Sequence, residues 1–156
     1  MKKIIALVLL VMPSLFFAQT AAFDKFKDVK GIEYLTVSKD MFKMLGNLES
    51  SAADAKTQKY VNMAKNIENL KVFTTSEKKY RKEITAAVTD YLKTNPLEQM
   101  MSFSSQNAKV KIYANESSDA SIIKEFLVFV EDVDDKSVVL LSFTGDINLN
   151  DLDNLK

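Results

Sequence analysis

Two serine–lysine pairs stand at the spacing used by some acyl-transferring enzymes, Ser76-Glu-Lys-Lys79 and Ser121-Ile-Ile-Lys124. In that chemistry the lysine amine helps to take the proton from the serine hydroxyl and so makes a nucleophile. The companion Lys-Thr-Gly element is missing, Lys93-Thr94-Asn95 being only a partial echo, and the chain is far shorter than the penicillin-recognising fold. Helix initiation accounts for Ser76, and a wet helix face for Lys79. Two acidic stretches invite a metal. Asp146-Ile-Asn-Leu-Asn150 opens like a calcium loop, but Asp151 stands at the turn position that needs glycine, and no glutamate follows at the twelfth position. Glu131, Asp132, Asp134 and Asp135 crowd one turn, which is also where aspartate is used to build the turn itself. No metal ligands and no catalytic residues are assigned. The candidate ligand-binding residues are Lys109, Lys111 and Tyr113, a basic and aromatic strip that alternates with Val110, Ile112 and Ala114. Such a strip on an open sheet suits an anionic envelope component or an extended peptide, and alternating lysines equally suit the protection of a sheet edge.

Composition narrows the chemistry further. The chain has no cysteine and no histidine, so it has no disulfide, thiolate nucleophile, imidazole base or ordinary zinc site. Arg81 is the single arginine, which excludes a clamp of several guanidinium groups. Catalysis is left to Asp, Glu, Lys, Ser, Thr or Tyr. The 21 basic and 21 acidic residues cancel, which argues against nucleic acid as a partner. No cofactor is implied.

The elements that would position these residues can be read from periodicity. Phe126-Leu-Val-Phe-Val130 and Val138-Val-Leu-Leu-Ser-Phe143 are rich in β-branched and aromatic residues and too short for ordinary helices. They form a hairpin around Glu131–Lys136. Neither alternates, so both faces are covered or these are the innermost strands. Ile32–Val37, Leu70–Phe73, the stretch after Pro96 with Leu97, Gln99, Met101 and Phe103 on one side, and Lys109–Ala114 supply four more strands. Helices follow Ser38, with Met41, Phe42 and Leu45 on one face and Gly46 as the stop, and run through Tyr60, Val61, Ala64 and Ile67. The clearest helix opens with the capping-box spacing of Thr74 and Glu77, carries Tyr80, Ile84, Ala87, Val88, Tyr91 and Leu92 on one stripe, and ends at Asn95-Pro96. Gly145 closes the central hairpin, and Asn115-Glu-Ser117 matches a glycosylation acceptor in a loop. The order predicts an α+β domain: a mixed, mostly antiparallel sheet of about six strands with helices packed on one face.

The N-terminus predicts export. Lys2-Lys3, an apolar run from Ile4 to Met12, Pro13-Ser14 and Ala18 have the layout of a signal peptide over residues 1–18, cut after Ala18 or Ala22, before a single domain over 23–156. The run is shorter than the roughly 20 residues that span a bilayer, so no stable membrane insertion follows cleavage. The expected location is periplasmic or secreted, and the lack of cysteine excludes lipoprotein anchoring.

Phe23-Asp-Lys-Phe26, Glu33-Tyr-Leu-Thr-Val-Ser-Lys-Asp-Met-Phe42 and Leu141-Ser-Phe-Thr-Gly-Asp-Ile147, with the leader ending Phe17-Ala-Gln19, resemble the Bacteroidota domain of unknown function numbered 4252. The resemblance covers almost the whole mature chain and brings no active-site residues. It implies a small exported protein of a diderm bacterium; relatives often look like lipoproteins, from which this chain departs. Genes of the family tend to neighbour those of regulatory sigma factors, which implies a place in envelope signalling. The expectation is therefore a non-catalytic accessory protein that binds an envelope protein or peptide. A small hydrolase using carboxylate or Ser/Lys chemistry is the alternative.

Overall fold

The computed structural model describes residues 21–49, 65–116 and 121–148. The leader, the helical pattern through Tyr60, Val61 and Ala64, and residues 149–156, with the end of the calcium-like stretch at Asn150 and Asp151, lie outside them. Six strands form one open sheet: β1 (Glu33–Ser38), β2 (Ile67–Thr75), β3 (Glu98–Ser104), β4 (Ala108–Glu116), β5 (Ile122–Asp132) and β6 (Ser137–Asn148). Their spatial order is β1-β2-β6-β5-β4-β3, so the hairpin β5–β6 is innermost. Helix α1 (Lys39–Glu49) follows β1 directly, and α2 (Lys78–Thr94) joins β2 to β3.

The α+β class holds, and every neighbouring pair is antiparallel. A parallel pair, which the alternating first half allowed, does not form: β2 and β3 run the same way but β6, β5 and β4 stand between them.

Residues paired across strands share a face, so the register sorts the side chains. One face carries the row Tyr34, Phe73, Leu140, Phe129 and Lys111, and beside it the row Thr36, Lys71, Ser142, Leu127 and Tyr113. The other carries Leu35, Val72, Leu141, Val128, Ile112 and Met101, an apolar row across all six strands. Both faces are therefore apolar in the central strands, which is why neither central strand alternates in sequence.

Helix α2 covers the first face. Ile84 is fully buried, and Ala87, Val88 and Tyr91 are buried with it against Phe73, Leu127, Phe129, Val138 and Leu140. The N-terminal turn Asp24–Phe26 completes this core with Phe23 and Phe26, and Phe23 packs on Tyr91 at 5.3 Å between ring centres. Lys71 is only 2% exposed, and its ammonium donates to Asp24 Oδ1 at 2.5 Å, tying the N-terminal turn to the sheet. Burial alone would raise the Asp24 carboxyl, but the hydrogen bonds and charges of Lys27 and Lys71 hold it below its ordinary value.

Several local expectations are corrected. Thr74 and Glu77 do not form a capping box: Thr74 lies in β2, and Glu77 makes no side-chain cap. Neither does Ser76 start the helix; Thr75 Oγ1 accepts from the Glu77 N–H at 3.1 Å and donates to the Gly31 carbonyl at 2.6 Å. Gly46 does not stop α1, which runs on to Glu49, a helix interior tolerating one glycine at a cost of about 1 kcal/mol. Ile67 belongs to β2 rather than to a helix. Gly145 does not close the hairpin but sits inside β6, where a Cβ would lie 2.3 Å from the Asn66 carbonyl oxygen, so the close approach of β2 requires glycine. A bulge between Gln99 and Met101 breaks the alternation expected of β3. Leu97 packs against the core under α2, while Met101 and Phe103 join Ile112 and Val110 on the opposite face. Asn115 is in β4 opposite Glu125, not in a loop. The stop at Asn95 holds, its N–H and side-chain amide both donating to the Tyr91 carbonyl. Among the described residues no helix is long and apolar enough to cross a membrane.

Candidate functional site

Helix α2 packs most closely on β6 and follows β5 alongside. Near its start, Lys78 and Arg81 border the same cleft as Glu131, and near its end the Tyr91 hydroxyl donates to Glu125 Oε1. Thirteen helical residues rise about 20 Å, and six strand residues rise about the same, so the two elements run side by side in opposite directions. The periodicity of α2 then puts Lys78, Arg81, Lys82 and Thr85 on one stripe, beside the apolar stripe that faces the core.

That stripe forms one wall of a cleft of about 640 Å³. The other wall is the sheet row Lys109, Glu131 and Val138 with the β5–β6 turn, including Asp132, Val133 and Lys136. Five cations, Lys78, Arg81, Lys82, Lys109 and Lys136, line it against two acids, Glu131 and Asp132. Among the described residues none of these five has a carboxylate within 4.0 Å. Arg81 Nε is shut off from solvent and has no hydrogen-bond partner among the described residues. A second cleft, on the side of α2 toward the N-terminal turn, is lined by Lys25 and Lys79 with Glu83 and Asp90, so its charges balance.

The turn that borders the larger cleft is held from several directions. Asp132 Oδ1 accepts from the Asp135 N–H at 2.8 Å, and Lys136 takes a left-handed conformation with φ 48°. The Val133 N–H donates to the Asn107 carbonyl at 2.7 Å, and the Asn107 side-chain amide donates to Asp134. These bonds anchor the turn to the β3–β4 connection. Asp132 and Asp134 thus use oxygens to build the turn, and among the described residues no three acidic side chains gather as metal ligands.

The strip Lys109, Lys111 and Tyr113 shares one face as alternation predicts, but that face is not an open one. It is the α2 side of the sheet, where Tyr113 packs against the core and Lys111 lies half-buried opposite Phe129. Only Lys109 reaches the cleft. Nor does the strip guard an edge, because β3 lies outside β4. Alternation tells which residues go together and not which side is wet, and a lysine stem can lie along apolar surface with its charge at the rim. Arg81 and its helical neighbours were hidden by the opposite simplification, that charge off the apolar stripe only meets solvent. Their spacing was the available signal.

The lysines of the two serine–lysine pairs have other partners. Lys79 Nζ lies over the Tyr80 ring at 5.0 Å, and Lys124 Nζ is 3.9 Å from Asp146 Oδ1. At the far end of α2, burial raises the Glu125 carboxyl against the lowering effect of its hydrogen bond from Tyr91. Burial and that same hydrogen bond push the Tyr91 phenol far up.

A six-stranded antiparallel α+β domain with a cationic cleft is what these observations define among the described residues. A family model described as Domain of unknown function (DUF4252) matches residues 26–155, and the chain belongs to that family. No curated protein and no solved structure matches it.

Proposed function

We propose that this domain works by binding rather than by catalysis, as an accessory protein exported to the bacterial envelope and acting in envelope signalling. The observation that carries the binding reading is the cleft under α2, whose cations line a concave surface without ion-pair partners among the described residues. Support for export comes from the layout of residues 1–18, a charged start followed by a short apolar run.

The two parts are tested separately. Mass spectrometry of the protein from an envelope fraction is expected to find a chain beginning at Gln19 or Phe23; an intact Met1 protein in membranes counts against export. For binding, the immobilised protein is expected to retain an envelope component that the double variant Lys82→Glu, Lys109→Glu loses. Stoichiometric labelling by a serine-reactive probe, abolished in Ser76→Ala, would replace the binding reading with the hydrolase.

A further inference from the structure

We infer that the cleft between α2 and the β5–β6 turn is a binding site for a phosphate group, with Arg81 as its central contact. The inference deepens the binding reading and rests on it. Arg81 Nε is buried and lacks an acceptor among the described residues, although a guanidinium presents its donors as a planar fork that fits two oxygens of one anion. An unmet donor out of water is costly, and a turn of the Arg81 side chain that brings its fork to an oxyanion in the cleft would satisfy it.

Charge selects among anions. Five cations against two acids leave an excess of three positive charges in one concavity, more than a single carboxylate neutralises. A phosphate carries more charge and more acceptor oxygens, and it accepts from Arg81 and from lysines on both walls at once. The geometry assists, because Lys82 reaches from the helix and Lys109 from β4, so an anion between them joins two elements. Val133, Val138 and Ala86 add apolar lining, suited to the organic body that bears the phosphate. The second cleft, with balanced charge, lacks this preference.

The probe is inorganic pyrophosphate, titrated into the full-length chain and followed by backbone amide shifts. Saturable shifts at residues 78–85, 109 and 131–138 are expected, with acetate weaker by about tenfold or more. Arg81→Gln is expected to weaken pyrophosphate by about tenfold or more. Because Arg81 is partly buried, the double variant Lys82→Gln, Lys109→Gln repeats the test at two exposed positions and is expected to give a similar loss. Lys124→Gln, outside the cleft, should bind as the parent does.

Sedimentation with phosphatidylcholine vesicles, with and without phosphatidylglycerol, identifies the source of the phosphate. Binding only to the anionic vesicles, lost in the double variant, places it on a lipid headgroup; pyrophosphate binding without sedimentation places it on a soluble molecule. Absence of a saturable shift, equal affinity for acetate, or unchanged affinity in both cleft variants overturns the inference. If it falls while the immobilised protein still retains an envelope component, the binding reading stands and only the phosphate is wrong.

Discussion

Phe73 and Leu35 lie on adjoining strands and opposite faces of the sheet, the first fully buried and the second 55% exposed. The face under α2 is chemically mixed, with Lys71, Thr75 and Ser142 buried among aromatic and aliphatic side chains. The opposite face is apolar across its middle row, yet among the described residues it opens toward both edges, at Leu35 on β1 and at Phe103 on β3, the latter 57% exposed. Hydropathy alone would invert this arrangement. The difference shows that burial here follows what packs on a face: α2 and the N-terminal turn seal one side so well that even a lysine is enclosed, provided a carboxylate meets it. The same packing creates the cleft, because α2 carries its basic stripe to the rim of the sealed core.

Predictions can break this contrast, beginning with its strongest side. Phe73→Ala is expected to cost about 3–5 kcal/mol, since it removes a fully buried ring from beneath Phe26 and Tyr34. Leu35→Ala, across the sheet, is expected to cost less than about 1 kcal/mol. Urea denaturation of the pair decides; similar losses would mean that the faces are equally packed.

Ile84→Ala, on the helix side of the same core, is expected to cost about 2–5 kcal/mol by transfer and cavity terms. The same urea titration checks it, and a loss below about 1 kcal/mol would show that α2 does not seal this face.

Tyr91→Phe comes next, at about 1–3 kcal/mol, because it leaves the half-buried Glu125 without its donor. It also has a pH signature. The folded protein keeps the raised Tyr91 proton that the unfolded chain releases near about pH 10. The stability from this group is therefore complete below that pH and is lost as pH rises above it. Stability measured at neutral and alkaline pH should fall less steeply in Tyr91→Phe; parallel curves would remove Tyr91 from the account.

Smallest is Lys82→Ala, within about 0.5 kcal/mol, since the side chain is exposed at the cleft. A cost like that of Ile84→Ala, read by the same denaturation, would place Lys82 in the core and dissolve the distinction between the two stripes of α2.

By itself the sequence determined the helix α2, its buried stripe, the central hairpin and the α+β class. In each case a local signal suffices, because apolar residues recur at the period of the element or the element is bounded by turn and proline chemistry. Local rules also grouped Lys109, Lys111 and Tyr113 on one side of β4. Only the tertiary structure decided which side that was, since a strand apolar on both faces gives no sign of where the helix will dock. It likewise decided that Thr75 rather than Thr74 or Ser76 serves the start of α2, that a bulge redirects β3, and that Lys71 is enclosed by Asp24. The cleft belongs to the same class. Its stripe at 78, 81, 82 and 85 is visible in the sequence, but the wall opposite comes from residues 109 and 131–138, brought there by strand order. Contacts between distant parts of the chain depend on the packing of whole faces, and no local period encodes them.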